Sequence, residues 1–117
     1  MGYTELRWPS RDGLEMFAEE WSPAGVSRGV GCHMHGHGEH SGRHSRLAEA
    51  VAAEGFVFLA LYARGHGRSA GKRGHIASYA ASMDDVARLL EAAARRHPSM
   101  PRYLYGHSMG GNFTLNY

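Results

Sequence analysis

Gly106-His107-Ser108-Met109-Gly110 follows directly on Arg102-Tyr103-Leu104-Tyr105, and this pentapeptide constrains the chain more than any other feature. G-x-S-x-G between a strand and a helix makes a sharp turn that projects the serine hydroxyl from the end of a sheet. The turn brings Cβ atoms against neighbouring backbone, so Gly106 and Gly110 are the residues that fit on either side. The Tyr-Leu-Tyr run reads as the strand, and Phe113 and Leu115 as the apolar run beyond the turn. Ser108 is therefore the candidate nucleophile.

The rest of the chain supplies a sheet for such a turn. Thr4 to Trp8 and Leu14 to Trp21 are two short aromatic-bearing runs, and the Asp12-Gly13 pair between them signals a hairpin. Ser22-Pro23-Ala24-Gly25 ends the second run, and Val30 to Met34 reads as a third strand. A Gly/His-rich stretch, 35–42, follows. From His44 to Glu54 the residues Leu47, Ala50, Val51 and Glu54 recur at helical spacing, with Gly55 as the stop. Phe56 to Leu61 is an apolar run without alternation, as in a parallel strand covered on both faces. After a second Gly-rich stretch, Arg64 to Gly74, a helix is predicted from about Ser82, with Ser82 and Asp85 as its entry cap. Met83, Val86, Leu89, Leu90 and Ala93 form its inward stripe, and Arg95, Arg96 and His97 close it before Pro98. Helices alternate with the later strands, which predicts an α/β fold: a mostly parallel sheet with an antiparallel N-terminal hairpin.

Composition excludes several functions. The chain has 117 residues, 43% hydrophobic and 21% charged, with a net charge of +2 and dispersed arginines, which does not suit nucleic-acid binding. The single cysteine, Cys32, excludes an internal disulfide and fits a reducing compartment or a packed thiol. No secretion signal precedes the first strand and no apolar run approaches the length of a membrane span, so a cytoplasmic location is expected. Leu6 stands where a myristoylation signal needs Ser or Thr. Asn112-Phe113-Thr114 matches a glycosylation sequon, but it sits in an apolar stretch of a chain without a secretion signal.

A serine nucleophile needs an oxyanion hole. One donor is the N–H of the residue after the serine, here Met109, and the other comes from the stretch after the third strand. That stretch is His35-Gly36-His37-Gly38-Glu39-His40-Ser41-Gly42, whose glycines admit close approach of backbone to substrate. Taken in order, HGHGEHSGRH (35–44), RGHGRSAGKRGHI (64–76) and GHSMGGN (106–112) resemble the acylglycerol lipases and lysophospholipases of the α/β-hydrolase fold, grouped under a serine aminopeptidase-like domain. The resemblance spans nearly the whole chain. It implies the N-terminal half of one such domain over residues 1–117, with Ser108 as nucleophile and the amides of His37 and Met109 as the oxyanion hole. His35, Gly36 and His107 would then support loop and elbow, His107 as a packed residue rather than the base. It further implies a small acyl-ester lipid substrate, no cofactor and no metal, and transient membrane-surface contact through a cap beyond these residues. The triad acid and histidine follow the serine in this fold, so they are expected after Tyr117, and residues 1–117 alone are expected to be catalytically negligible.

One position departs from the pattern. Relatives commonly read Asp-x-Arg-Gly-His-Gly in the second motif, whereas this chain has Tyr62-Ala63-Arg64-Gly65-His66-Gly67, which bears on loop anchoring rather than on the chemistry. Two rival readings are weaker. His33, His35 and His37 would chelate a metal only from an extended segment with one face inward, and no cysteine or carboxylate completes a zinc pattern. In both Gly-rich stretches the third glycine falls one residue late for a dinucleotide loop. The serious rival comes from another class: a non-catalytic hydrolase-like module, or an inactive fragment.

Overall fold

The alternation of apolar runs with amphipathic stretches produces one mixed sheet with a helix on each face. The computed structural model describes residues 2–34, 45–62 and 79–106. In chain order these form β1 (Gly2–Pro9), β2 (Glu15–Ser22), β3 (Val30–Met34), α1 (Ser45–Ala53), β4 (Val57–Leu61), α2 (Tyr79–Arg96) and β5 (Arg102–Gly106). The five strands lie in the order β1-β2-β4-β3-β5. β1 pairs antiparallel with β2 and β2 antiparallel with β4, while β3 runs parallel to both β4 and β5. The antiparallel start and parallel continuation are those expected from the sequence.

The hairpin closes through a wider loop than the Asp-Gly pair alone would need. The Ser10 N–H donates to the Leu14 carbonyl at 2.8 Å and the Gly13 N–H to the Ser10 carbonyl at 3.0 Å. The Ser10 hydroxyl donates to Asp12 Oδ1 at 2.6 Å and accepts the Leu14 N–H at 2.9 Å. Gly13 takes φ of +87°, where a Cβ would be strained.

Every residue of β4 is buried, which explains its uninterrupted apolar sequence. Its side chains alternate between two clusters. On one face Val86, Leu89 and Ala93 of α2 pack with Cys32, Val57, Leu59 and Leu61, and Met16 and Ala18 extend this cluster across β2. On the other, Ala48 of α1 packs with Trp21, Phe58 and Ala60.

Both helices differ from the sequence expectation at one point each. α2 begins at Tyr79, ahead of Ser82, so Ser82 lies inside its first turn rather than at its entry. Ala80 and Ala81, both strong helix formers, carry the helix further N-terminal. Asp84 instead takes the Arg88 Nε–H one turn on, at 2.9 Å. In α1 the inward face is turned: Ala48 and Ala52 are buried, while Ala50 faces out and Leu47 is 37% exposed. The Trp21 and Phe58 rings, edge-on with centroids 5.9 Å apart, belong to the cluster on which Ala48 is buried and Val51 packs in part. Gly55 ends α1 as expected, at φ +91°. Its N–H donates to the Ala52 carbonyl at 3.0 Å and the Phe56 N–H to the Val51 carbonyl at 3.2 Å, the double closure of a Schellman turn.

The C-terminal end of α2 is tied to β2 by charge. Glu20, 3% exposed, accepts two hydrogen bonds from Arg96 at 2.9 and 2.7 Å and contacts His97 Nε2 at 2.9 Å. Burial alone would push the Glu20 carboxyl up, but the hydrogen bonds and charges of Arg96 and His97 outweigh it and hold it below its ordinary value. A carboxylate lowered in this way binds fewer protons folded than unfolded. Its stabilisation is thus complete above the unfolded value of about 4.3 and is lost as pH falls through the folded one. Glu20→Gln is expected to lower unfolding free energy by about 2 kcal/mol at pH 7. In urea titrations that difference should shrink steadily as the pH is taken below about 4.

Candidate active site

Parallel strands in register bring their C-terminal ends, and the segments that follow them, to one edge of the sheet. Leu61 of β4 is the Cα partner of Met34 of β3, and Met34 is the partner of Gly106 of β5. The Gly-rich stretch after residue 34, the second motif after residue 62 and the serine turn after Gly106 therefore leave from neighbouring strands, about 4.8 Å apart. The chain after β3 leads to α1 on one face, and the chain after β4 leads to α2 on the other. Such a reversal opens a crevice at the carboxyl ends of the strands, the usual place for a ligand in an open α/β sheet.

Of the candidate site residues, Gly106 lies within this frame, as the last residue of β5. Ser108, Met109, His107 and Gly110, and likewise His35, Gly36 and His37, lie outside the described residues. What is described is the base from which they start.

The residues beneath that row are packed, not solvated. His33 is fully buried, its ring tilted 31° to Phe58 with centroids 5.3 Å apart. It therefore has the inward orientation that chelation by alternating histidines would need, but an aromatic ring is its partner there. Among the described residues no three metal-ligating side chains come together, and no helix is long and apolar enough to cross a membrane. Cys32, one residue before His33, faces α2 with no exposed surface. Burial pushes its thiol up to about 12, against a smaller downward pull from Arg102. At neutral pH it is a protonated core side chain rather than a nucleophile.

Tyr62, the residue that departs from the expected motif, is buried at the exit of β4. Its N–H donates to the Phe17 carbonyl at 2.9 Å, and its ring meets Phe17 edge-on at 5.0 Å. Two groupings escaped the sequence reading: this pair, and the buried Glu20 with Arg96 and His97. Phe17 and Tyr62 stand 45 positions apart and Glu20 and Arg96 76, so each becomes visible only once the strand register is known. The one local sign was the adjacent pair Glu19-Glu20 between the apolar Met16-Phe17-Ala18 and Trp21.

Comparison with known proteins agrees with this geometry. The profile of a family described as serine aminopeptidase, S33, matches residues 25–117. A monoacylglycerol lipase of Mycolicibacterium smegmatis is 40% identical over 105 residues, covering 90% of this chain and 38% of that protein. The human monoglyceride lipase is 34% identical over 104 residues, covering 89% of this chain and 34% of its own length. The crystal structure of a thermostable carboxyl esterase from Bacillus coagulans, in complex with glycerol, superposes with a TM-score of 0.87 at 27% identity, over 100% of this chain and 40% of that one. The chain thus spans little more than a third of the curated relatives it matches.

The environment of Cys32 yields a direct expectation. In the native protein at pH 8, iodoacetamide should leave Cys32 unmodified over hours and modify it within minutes in 6 M guanidinium, about a hundredfold difference or more. Comparable rates in both states, read by mass spectrometry, would show that the thiol is not held in the core.

Proposed function

The chain belongs to the serine aminopeptidase S33 family, and we propose that it provides the nucleophile and oxyanion hole of a serine hydrolase that cleaves acyl esters of glycerol or lysophospholipid type. The observation that carries this reading is the pairing of Met34 with Gly106. The segment bearing His37 and the segment bearing Ser108 start from adjacent strands, as an oxyanion hole shared between them requires. The α/β-hydrolase fold seen in the structural relatives and the names of the sequence relatives support the same reading.

In this reading the Ser108 hydroxyl attacks the ester carbonyl while a histidine base, expected C-terminal to Ser108, takes its proton. The N–H groups of His37 and Met109 donate to the tetrahedral oxyanion. The glycerol or glycerophosphoryl alcohol leaves with the proton returned by that histidine, and water then releases the fatty acid from the acyl-serine. The glycines at 36 and 38 let the backbone approach the carbonyl closely, and the side chain of His37 is free to vary because its amide does the work. Each step is a proton transfer or an acyl transfer, to serine and then to water, so the chemistry calls for neither a metal nor a redox cofactor.

A fluorophosphonate probe should modify the natural protein at Ser108, with labelling abolished in Ser108→Ala. Turnover of a monoacylglycerol should fall at least about a thousandfold in the same variant, and EDTA should leave the wild-type rate unchanged. Labelling at another serine, or activity that survives Ser108→Ala, would refute the assignment.

A further inference from the structure

The described sheet has two edges, β1 and β5, and the row of Leu61, Met34 and Gly106 lies toward the β5 side. β1 forms the remote edge. It runs for eight residues, all in register with β2, and among the described residues no strand lies on its other side.

Neighbouring hydrogen bonds fix which main-chain groups of β1 face outward. The Ser10 N–H goes to the Leu14 carbonyl, one step beyond the Pro9–Glu15 pair, while the Phe17 carbonyl is turned away from β1 to accept the Tyr62 N–H. Residues of an antiparallel pair alternate between bonding their neighbour and facing away from it. The even-numbered residues of β1 therefore bond β2, and Tyr3, Glu5 and Arg7 turn their N–H and C=O groups to the open side. An edge row of this kind is a template for another strand.

The side chains say which strand. Charges on an edge ordinarily repel a second copy, but Glu5 and Arg7 are both exposed, opposite in sign and two residues apart. A second β1 laid antiparallel can pair outward-facing residues with outward-facing residues in three nearby registers. One sets Glu5 against Glu5, another sets Arg7 against Arg7, and the one between them sets Glu5 against Arg7 twice. That middle register centres on Leu6 opposite Leu6 and places Thr4 opposite Trp8. Leu6 and Trp8 already pack at the margin of the α2-side cluster, so the copy would extend that apolar row across the edge. The existing contacts of the charged groups do not stand in the way. Glu5 accepts the Tyr3 hydroxyl at 3.3 Å, and Arg7 meets Glu15 at 3.5 Å and the Phe17 ring at 4.9 Å. A carboxylate has several acceptor sites and a guanidinium five donors, so each can meet a further partner.

We propose that β1 is a self-association edge: a second copy of this chain adds its own β1 antiparallel about a two-fold axis at Leu6, continuing the sheet from one copy into the other. The arrangement is isologous, with the same patch on both copies. Each Glu5–Arg7 pair also exchanges main-chain hydrogen bonds, and the leucines meet at the closer spacing of a non-bonded pair. A single strand edge makes an interface of the small, transient class, so pairing is expected above about 10 µM. The proposal is independent of the esterase reading.

The test is sedimentation of the natural protein from about 5 to about 500 µM, together with amide exchange at both ends of that range. A monomer–dimer equilibrium is expected. The amides of Tyr3, Glu5 and Arg7 should exchange at least about tenfold more slowly at the high concentration, while those of Thr4 and Leu6, bonded to β2, should not change. Arg7→Glu and Glu5→Arg each replace both attractive pairs by repulsive ones and should weaken association at least about tenfold. The double variant Glu5→Arg with Arg7→Glu restores opposite charges across the axis and should dimerise like the wild type, although it too lacks the cation over Phe17. A monomer at about 500 µM would overturn the proposal, as would a dimer indifferent to the single variants or a double variant no better than they are. Protection at Tyr3, Glu5 and Arg7 that does not depend on concentration would also overturn it, showing that another segment of the natural protein occupies this edge.

Discussion

The register of three parallel strands governs the rest of the molecule. Hydrogen bonding between β4, β3 and β5 puts Leu61, Met34 and Gly106 in one row, and a slip by one residue would turn every side chain on the slipped strand to the opposite face. Burial enforces the register from both sides. Cys32 and Leu59 must face α2, and Phe58 and Ala60 must face α1. The same constraint that sorts side chains between two clusters thus sorts three chain exits onto one edge. Packing and chemistry are set together.

Much of this was legible in the sequence because it was written locally. The bounds of β3, the uninterrupted apolar run of β4, the stop at Gly55 and the inward stripe of Val86, Leu89 and Ala93 each follow from a pattern a few residues long. The serine pattern is equally local, but the turn it predicts lies outside the described residues. The inward face of α1 was not, because it depends on what lies beneath: Ala48, not Leu47, packs on the cluster that holds Trp21 and Phe58. Nor was the start of α2, where Ser82 offered a cap but the alanines before it continued the helix.

What the sequence hid is mainly what the first two strands contribute. Read alone, they are a hairpin with an acidic pair at its centre. In the fold, adjacent residues of β2 serve opposite faces: Glu20 anchors the far end of α2, while Glu19 accepts the Tyr3 hydroxyl on the other side. Burial together with the neighbouring carboxylates of Glu19 and Glu5 pushes the Tyr3 hydroxyl up, so it stays a donor throughout the neutral range. Carboxylates in a strand interior are usually penalised for lost hydration. Each is tolerated here because a donor from another element meets it.

The alanine seat of α1 has a consequence for how its face of the sheet is fastened. A helix that meets its sheet mainly through Ala48 and Ala52, with Val51 packed in part beside them, removes less apolar surface from water than one that inserts leucines. At nine residues it is also too short to persist unsupported. By contrast α2 inserts valine and leucine and is bolted at its end by Glu20. The two faces of the sheet are therefore unequally fastened, α1 mostly by small side chains and α2 by larger ones together with a buried carboxylate.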